Sequence, residues 1–222
     1  MPRQTDIAVM IAVRSGSKRV PKKNIRSFCD SSLLEIKIKQ AMRLENISMI
    51  AVTSDDDEML DIANQLGAFP MKRDPYYATD SVPMGDVYVH LASSIKNKDI
   101  LWTPVTSPLI KDETIQACIS SYVSLDQYDS VITTTSINEY LWLDDKAINY
   151  DPKNHPRSQD LPNVYALNFA ANILPRELMI KNKNILGNKF FPYLLDDIES
   201  IDVDTEFDFM IAEMLYEKMR VK

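Results

Sequence analysis

Short, fully apolar runs alternate along the chain with stretches whose apolar residues recur every three to four positions. Ile7-Ala-Val-Met-Ile-Ala-Val13 has no polar position and reads as a strand covered on both faces. Leu33 to Leu44 follows with helical spacing (Leu33, Leu34, Ile36, Ile38, Ala41, Met42). The same rhythm predicts a strand at 49–53, a helix at 58–66 closed by Gly67, and a brief strand at 69–71. It continues with a helix at 84–95, a strand at 100–102, a helix at 115–123 and a β-branched strand at 130–135. Strands alternating with helices imply βαβ units and a mainly parallel sheet, an α/β fold whose ligands gather at the carboxyl ends of the strands.

The rhythm breaks after residue 136. Positions 139–163 hold Trp142, Tyr150 and three prolines with no clean period, which predicts a hairpin followed by a long excursion from the domain. Sheet-like residues return at 198–203. A last helix is predicted from about Glu206, with Phe207, Met210, Ile211, Met214, Leu215 and Met219 forming its apolar stripe. There is no internal repeat, and 222 residues suit one domain with this excursion as its only elaboration.

Composition alters this picture at two places. The chain is acidic, with a net charge of −7, yet residues 14–26 (RSGSKRVPKKNIR) carry six cations and no acid, which leaves the remainder near −13. This loop directly follows the first strand, and Gly16, one of four glycines, is expected to turn tightly and bare its N–H groups beside Lys18. Basic loops at that position collect phosphate oxygens, so the segment reads as a polyphosphate site rather than a solvated turn. The overall acidity excludes a general nucleic-acid binder. The polar start Met1-Pro-Arg-Gln-Thr-Asp6, the absence of an apolar run long enough to span a bilayer, and two distant cysteines, Cys29 and Cys118, predict a cytoplasmic protein without membrane contact.

The second place is residues 196–208 (DDIESIDVDTEFD), with seven acids and no base. Asp202 and Asp204 alternate with Ile201 and Val203, so in a strand both carboxylates project from one face about 6.5–7 Å apart. Such a pair suits Mg²⁺, which takes one or two carboxylates and completes its shell with phosphate and water. Thr205 and Asp208 also have the spacing of a helix cap, and the two readings are compatible.

The segment Ala12-Val-Arg-Ser-Gly-Ser-Lys-Arg-Val-Pro-Lys-Lys-Asn24 resembles the first motif of the acylneuraminate cytidylyltransferases, which make CMP-sugars from CTP. Three further stretches agree in order: Arg73-Asp-Pro75 with Ala78-Thr-Asp-Ser81, Thr106-Ser-Pro-Leu109, and Ser200-Ile-Asp-Val-Asp-Thr-Glu-Phe-Asp208. The resemblance spans residues 7 to 215. It implies a Rossmann-like three-layer nucleotidyltransferase fold whose protruding excursion supports a homodimer. It implies that Arg14, Ser17 and Lys18 hold the CTP phosphates with help from Lys23 and Asn24, and that Arg73 reads cytosine or its ribose. Asp202 and Asp204 would hold Mg²⁺, with Arg14, Lys18 and Asp202 carrying catalysis. Arg157, Asn168, Phe190 and Phe191 would face an acidic sugar acceptor. Two departures lie on the acceptor side: Ala166-Leu-Asn-Phe169 lacks the arginine and glycine of an R-P-N-G segment, and Pro104-Val105 precede Thr106 where the family often has glutamine.

The activity so implied is transfer of CMP from CTP to a nonulosonic acid. Alternatives keep CTP but change the acceptor to a Kdo-like acid or a phosphonate, or reduce the protein to a non-catalytic nucleotide binder. Lys22-Lys-Asn24, where Kdo enzymes usually carry glycine–lysine–proline, favours the sialate-like branch. A P-loop NTPase is excluded because G-x-x-x-x-G-K-[ST] is absent. No histidine is placed as a base: His90 lies on a helical stripe with Val87 and Leu91, and His155 lies in the excursion.

Overall fold

The computed structural model describes residues 3–220. In chain order, β1 (Ile7–Ala12) is followed by a two-stranded ribbon of β2 (Ser27–Phe28) and β3 (Ser31–Ser32), then α1 (Leu33–Ala41), β4 (Ile47–Ser54), α2 (Asp57–Gln65) and β5 (Phe69–Lys72). Next come α3 (Met84–Ser93), β6 (Asp99–Trp102), α4 (Asp112–Ser124) and β7 (Ser130–Ile137). A small hairpin, β8 (Trp142–Leu143) and β9 (Lys146–Ala147), precedes β10 (Val164–Pro175), α5 (Arg176–Asn182), β11 (Phe190–Leu194) and α6 (Glu206–Arg220).

Seven strands form one sheet in the order β11-β7-β10-β6-β1-β4-β5. Every pairing is parallel except the two made by β10, which runs against both β6 and β7. The central strand shows why its run is uniformly apolar. Ile7, Val9 and Ile11 face a core shared with α1, α2, α4 and α6, while Ala8 and Met10 face the opposite core under α3 and α5. Side chains alternate across a strand, so a three-layer fold removes both faces from water. Each such side chain contributes roughly 1.5–3 kcal/mol of burial.

Helix boundaries follow local capping. The Ser32 hydroxyl accepts from the Glu35 amide at the start of α1, and the Asp56 carboxylate accepts from the Glu58 and Met59 amides at the start of α2. Gly67, with φ of +83°, closes α2. Thr205 and Asp208 cap α6 reciprocally: the Asp208 carboxylate accepts from the Thr205 amide at 2.8 Å, and the Asp208 amide donates to the Thr205 hydroxyl at 3.2 Å.

Three expectations are corrected. Residues 198–203 form a turn followed by an extended segment outside the sheet, since the Val203 amide bonds only to the Thr106 carbonyl of a loop. The α6 stripe is rotated: Phe209 and Ala212 face the core, where Phe209 meets Phe28 edge-on, while Phe207, Met210 and Met214 are exposed. The capping turn fixes the helix's rotation, and Phe28 of the β2–β3 ribbon takes the place on the core side. Gly16 has neither a positive φ nor a neighbour that a Cβ would strike, so the turn itself does not demand glycine. What glycine preserves there is open space.

The two cysteines are not disulfide-bonded. Cys118 is buried in α4, its thiol pushed up to about 12 by that burial, and the Cys29 backbone amide donates to Glu213. Among the described residues no helix is long and apolar enough to cross a membrane.

Candidate active site

The carboxyl ends of β1, β4 and β6 lie on one side of the sheet, and the loops leaving β1 and β6, with Asp80, line a cavity of about 380 Å³. Its wall includes Arg14, Gly16, Ser17, Lys18, Arg19 and Lys23 from the loop after β1 and Thr106 from the loop after β6. Continued pairing with β4 holds the basic loop in place, since the Val13 amide donates to the Thr53 carbonyl at 3.0 Å. Asp55 then grips Ser15 twice, accepting from its amide at 3.0 Å and its hydroxyl at 2.6 Å. Asn24 closes the base of the loop: its buried amide group donates to the Arg14 carbonyl at 3.0 Å, and its own carbonyl accepts from the Leu34 amide at 2.9 Å. Asn24 thus shapes the loop and also lines the cavity.

The cations are held ready by acids. Asp80, from the loop before α3, bridges the Arg14 guanidinium and the Lys18 ammonium, the latter at 2.7 Å. Those two bonds pull the exposed Asp80 carboxyl down to about 2. Lys23 donates to the Val203 carbonyl at 2.6 Å and lies 3.7 Å from Asp204; burial lowers its pKa, with Asp204 opposing. Arg19 pairs with Asp204 at 2.8 Å. The basic loop near the amino terminus and the acidic segment near residue 204 therefore meet at one cavity.

Asp202 and Asp204 flank buried Val203. Asp202 is exposed as a residue, but its carboxyl is shielded enough that burial raises its pKa; a hydrogen bond from Thr106 opposes the rise and nearby Asp204 adds to it. A carboxylate disfavoured by burial and by a second carboxylate is relieved by a cation. Among the described residues there is no group of three or more His, Cys, Asp or Glu side chains arranged for a metal. The pair fits Mg²⁺ shared with a ligand's phosphates, and does not fit an all-protein metal cage.

A second cavity of about 310 Å³ adjoins the first, and both are lined by Ala12, Val13, Arg14 and Asp80. The Arg14–Asp80 bridge stands between them. The second cavity is walled by Tyr77, Val82, Val87 and Trp102, with Arg73 as its buried cation. Arg73 donates to the Thr53 carbonyl at 2.8 Å, and burial pulls its pKa down to about 10, with nearby Asp55 opposing and Arg14 reinforcing. His90 stacks on Tyr77 at 3.9 Å between ring centroids, and burial lowers its pKa.

The residues expected to bind an acceptor are dispersed. Asn168 lies on the cavity side, in the irregular part of β10 that extends past the end of β6, where its amide donates to the Ser200 carbonyl at 2.6 Å. Arg157 sits on the excursion, exposed and paired with Asp160 at 2.7 Å. Phe190 and Phe191 start β11, beside Ser130 and Val131 at the opposite end of the parallel strands from the cavity. There Phe191 packs on Tyr128 and the core. The excursion is tied internally by Asn149, which accepts from the Leu141 amide and donates to the Glu139 carbonyl, and it exposes Trp142, Leu143 and Ile148.

Sequence reasoning assigned no role to Asp55 and Asp80. Each directly follows or belongs to a segment already singled out, the strand ending at Ser54 and Ala78-Thr-Asp-Ser81. An acid at a strand end facing a six-cation loop was the available signal.

Residues 8–186 match the family model described as "Cytidylyltransferase". The chain is 29% identical to the CMP-N,N'-diacetyllegionaminic acid synthase of Legionella pneumophila, with 95% of this chain and 96% of that protein covered. It is 26% identical to the post-translational flagellin modification protein B of Campylobacter coli, with 98% of each covered. Among solved structures, a CMP:2-keto-3-deoxy-manno-octonic acid synthetase complexed with CTP superposes with a TM-score of 0.72 at 13% identity, covering 97% of this chain and all of that one. That last likeness is one of fold.

Proposed function

The chain belongs to the cytidylyltransferase family, and from that premise we propose that it transfers CMP from CTP to a nonulosonic acid and releases pyrophosphate. The observation that carries this reading is that Arg19 and Lys23, which line the cavity together with Arg14 and Lys18, approach Asp204 and so bring the acidic segment of Asp202 and Asp204 beside it. The nonulosonic acceptor is favoured by the relative that makes CMP-N,N'-diacetyllegionaminic acid, which aligns over nearly the whole chain.

In this reading the triphosphate occupies the first cavity and displaces Asp80 from Arg14 and Lys18. The nucleoside lies in the second cavity, between apolar walls and Arg73. Arg14, at the junction, forks onto the α- and β-phosphates, and Lys18 and Ser17 hold the terminal oxygens. Asp202 and Asp204 would hold Mg²⁺, which supplies Lewis-acid polarisation of phosphate oxygens. An acceptor hydroxyl oxygen bonds to the α-phosphorus, the α–β phosphoanhydride bond breaks with its electron pair leaving on pyrophosphate, and the hydroxyl proton passes to solvent. Negative oxygens repel the incoming nucleophile, so the residues' main work is charge neutralisation and alignment. Arg157 exchanges Asp160 for the acceptor's carboxylate when the excursion closes over the cavity, and the exposed Trp142, Leu143 and Ile148 form the contact of a homodimer. The chain acts as one nucleotidyltransferase unit in the cytoplasm.

The test is pyrophosphate release from CTP and Mg²⁺ with a panel of sialic, legionaminic, pseudaminic and Kdo acids and a phosphonate. Release with one nonulosonic acid well above the others is the expected result. Release with Kdo or the phosphonate alone would transfer the reading to that acceptor. CTP binding with no release across the panel would reduce the protein to a binder.

A further inference from the structure

Lys37, in the middle of α1, is fully buried, while its neighbours Leu33, Leu34 and Ile38 occupy the same core as plain hydrocarbons. Its ammonium nitrogen has no direct carboxylate partner. It donates to the Gln40 side-chain oxygen at 2.7 Å and to the Ser107 carbonyl at 2.9 Å. Gln40, also buried, passes the contact on, donating to the Ile110 carbonyl at 2.7 Å and to Asp112 at 2.9 Å. Two side chains of α1 thus grip the β6–α4 loop at Ser107 and Ile110 and reach Asp112, the first residue of α4.

That loop also forms part of the wall of the phosphate cavity, through Pro104, Val105 and Thr106. Thr106 sits one residue before the carbonyl held by Lys37. Its own carbonyl accepts from the Val203 amide at 2.7 Å, between Asp202 and Asp204. Hydrogen bonds and the loop backbone therefore connect the core of α1 to the Val203 backbone that carries the two carboxylates.

We propose that Lys37 is a positioning residue: it sets the height of the 104–110 loop, whose Thr106 carbonyl holds the Val203 backbone and so presents the flanking Asp202 toward a shared divalent cation, although Lys37 touches no substrate. The inference rests on reading Asp202 as a metal ligand. An apolar side chain would fill the same volume at lower desolvation cost, so the buried amine stands where the Ser107 carbonyl of the loop and the Gln40 side-chain oxygen of α1 need a donor. Burial brings the Lys37 pKa down to about 7, Asp112 opposing. The neutral amine's two N–H groups suffice for the two acceptors present, so the brace survives loss of the charge.

Lys37→Met removes the donor. Lys37→Met with Gln40→Leu replaces the pair by hydrocarbon and recovers stability, because exchanging both buried partners for apolar groups is often near neutral. Mn²⁺ affinity is measured for each variant by electron paramagnetic resonance with a non-transferable α,β-methylene CTP, alongside Tm, kcat and KM for CTP. Both variants should weaken Mn²⁺ binding by about 10-fold or more. They should lower kcat while KM for CTP stays within about threefold, the double variant doing so even with its Tm restored. Wild-type Mn²⁺ affinity in the double variant would overturn the inference, as would a wild-type protein that binds no Mn²⁺ with the analogue. Inactivity of the wild type toward every acceptor would count against the proposed reaction alone, since the Mn²⁺ comparison would still decide the role of Lys37.

Discussion

The two ends of the cleft are built on different principles. At the phosphate end, short loops leave neighbouring parallel strands and are locked by backbone: Asp55 holds Ser15, Asn24 holds the Arg14 carbonyl, and Thr106 holds Val203. Arg14, Lys18, Arg19 and Lys23 are each paired with a carboxylate there before any ligand arrives. At the acceptor end, Arg157 rides on an excursion tied mainly to itself, and Asn168 sits where β10 loses its register with β7. A rigid charge cradle suits a step whose barrier is electrostatic. A loosely attached acceptor side suits a site that must admit a bulky acid and then close over it.

The largest effects should fall on the rigid end. Asp202→Asn combined with Asp204→Asn should abolish Mg²⁺-stimulated pyrophosphate release, and retained stimulation would remove the metal from this site. Lys18→Ala should lower kcat by about 10²-fold with an unchanged circular dichroism spectrum, as loss of one preorganised charge does. Near-normal turnover would sever the loop from the chemistry.

Substitution at the opposite end of the strands should register in stability instead. Phe191→Ala should cost on the order of 2 kcal/mol in chemical denaturation, because it empties packing against Tyr128 and the core, and leave the acceptor KM unchanged. A raised acceptor KM at unaltered stability would return Phe191 to the binding site. Arg157→Ala should do the reverse, raising the acceptor KM while stability holds.

Smaller still is the effect at Asp80. Asp80→Asn frees Arg14 and Lys18 from a carboxylate that CTP must displace, so KM for CTP should fall by a few-fold at low salt; a rise would assign Asp80 to ligand binding. A separate signature is in the pH dependence of stability. Lys37 titrates near 7 in the folded state against 10.5 for a lysine side chain free in water. Between those values the unfolded chain binds the extra proton, so this group makes stability rise with pH from about 7 to 10.5 and adds no slope below about 7. Lys37→Met with Gln40→Leu should flatten that rise in Tm-versus-pH curves, and an unchanged slope would assign it to other groups.

The same contrast governs what could be read from the sequence. Strands buried on both faces leave an unmistakable apolar run, as at Ile7–Ala12, and a basic loop at such a strand's end is a local feature. The approach of Lys23 and Asp204, far apart along the chain, was readable only because both segments carry extreme and opposite charge. The α6 stripe misled because the Phe209–Phe28 contact, a tertiary one, decides which face turns inward. The placement of Phe190-Phe191 away from the cavity was not legible, because composition does not say at which end of a strand a residue falls. Lys37 was invisible among helical residues: a single polar position on an amphipathic stretch looks like the exposed face until the neighbouring loop is packed against it.

The most direct test of the central claim is a crystal structure with CTP and Mg²⁺. The account predicts the triphosphate in the cavity bounded by Lys18 and Thr106, Asp80 displaced from Arg14, the base beside Arg73, and the metal bridging phosphate to Asp202. CTP bound elsewhere, or bound here with Asp80 still joined to Arg14 and Lys18 and no metal at Asp202, would contradict it.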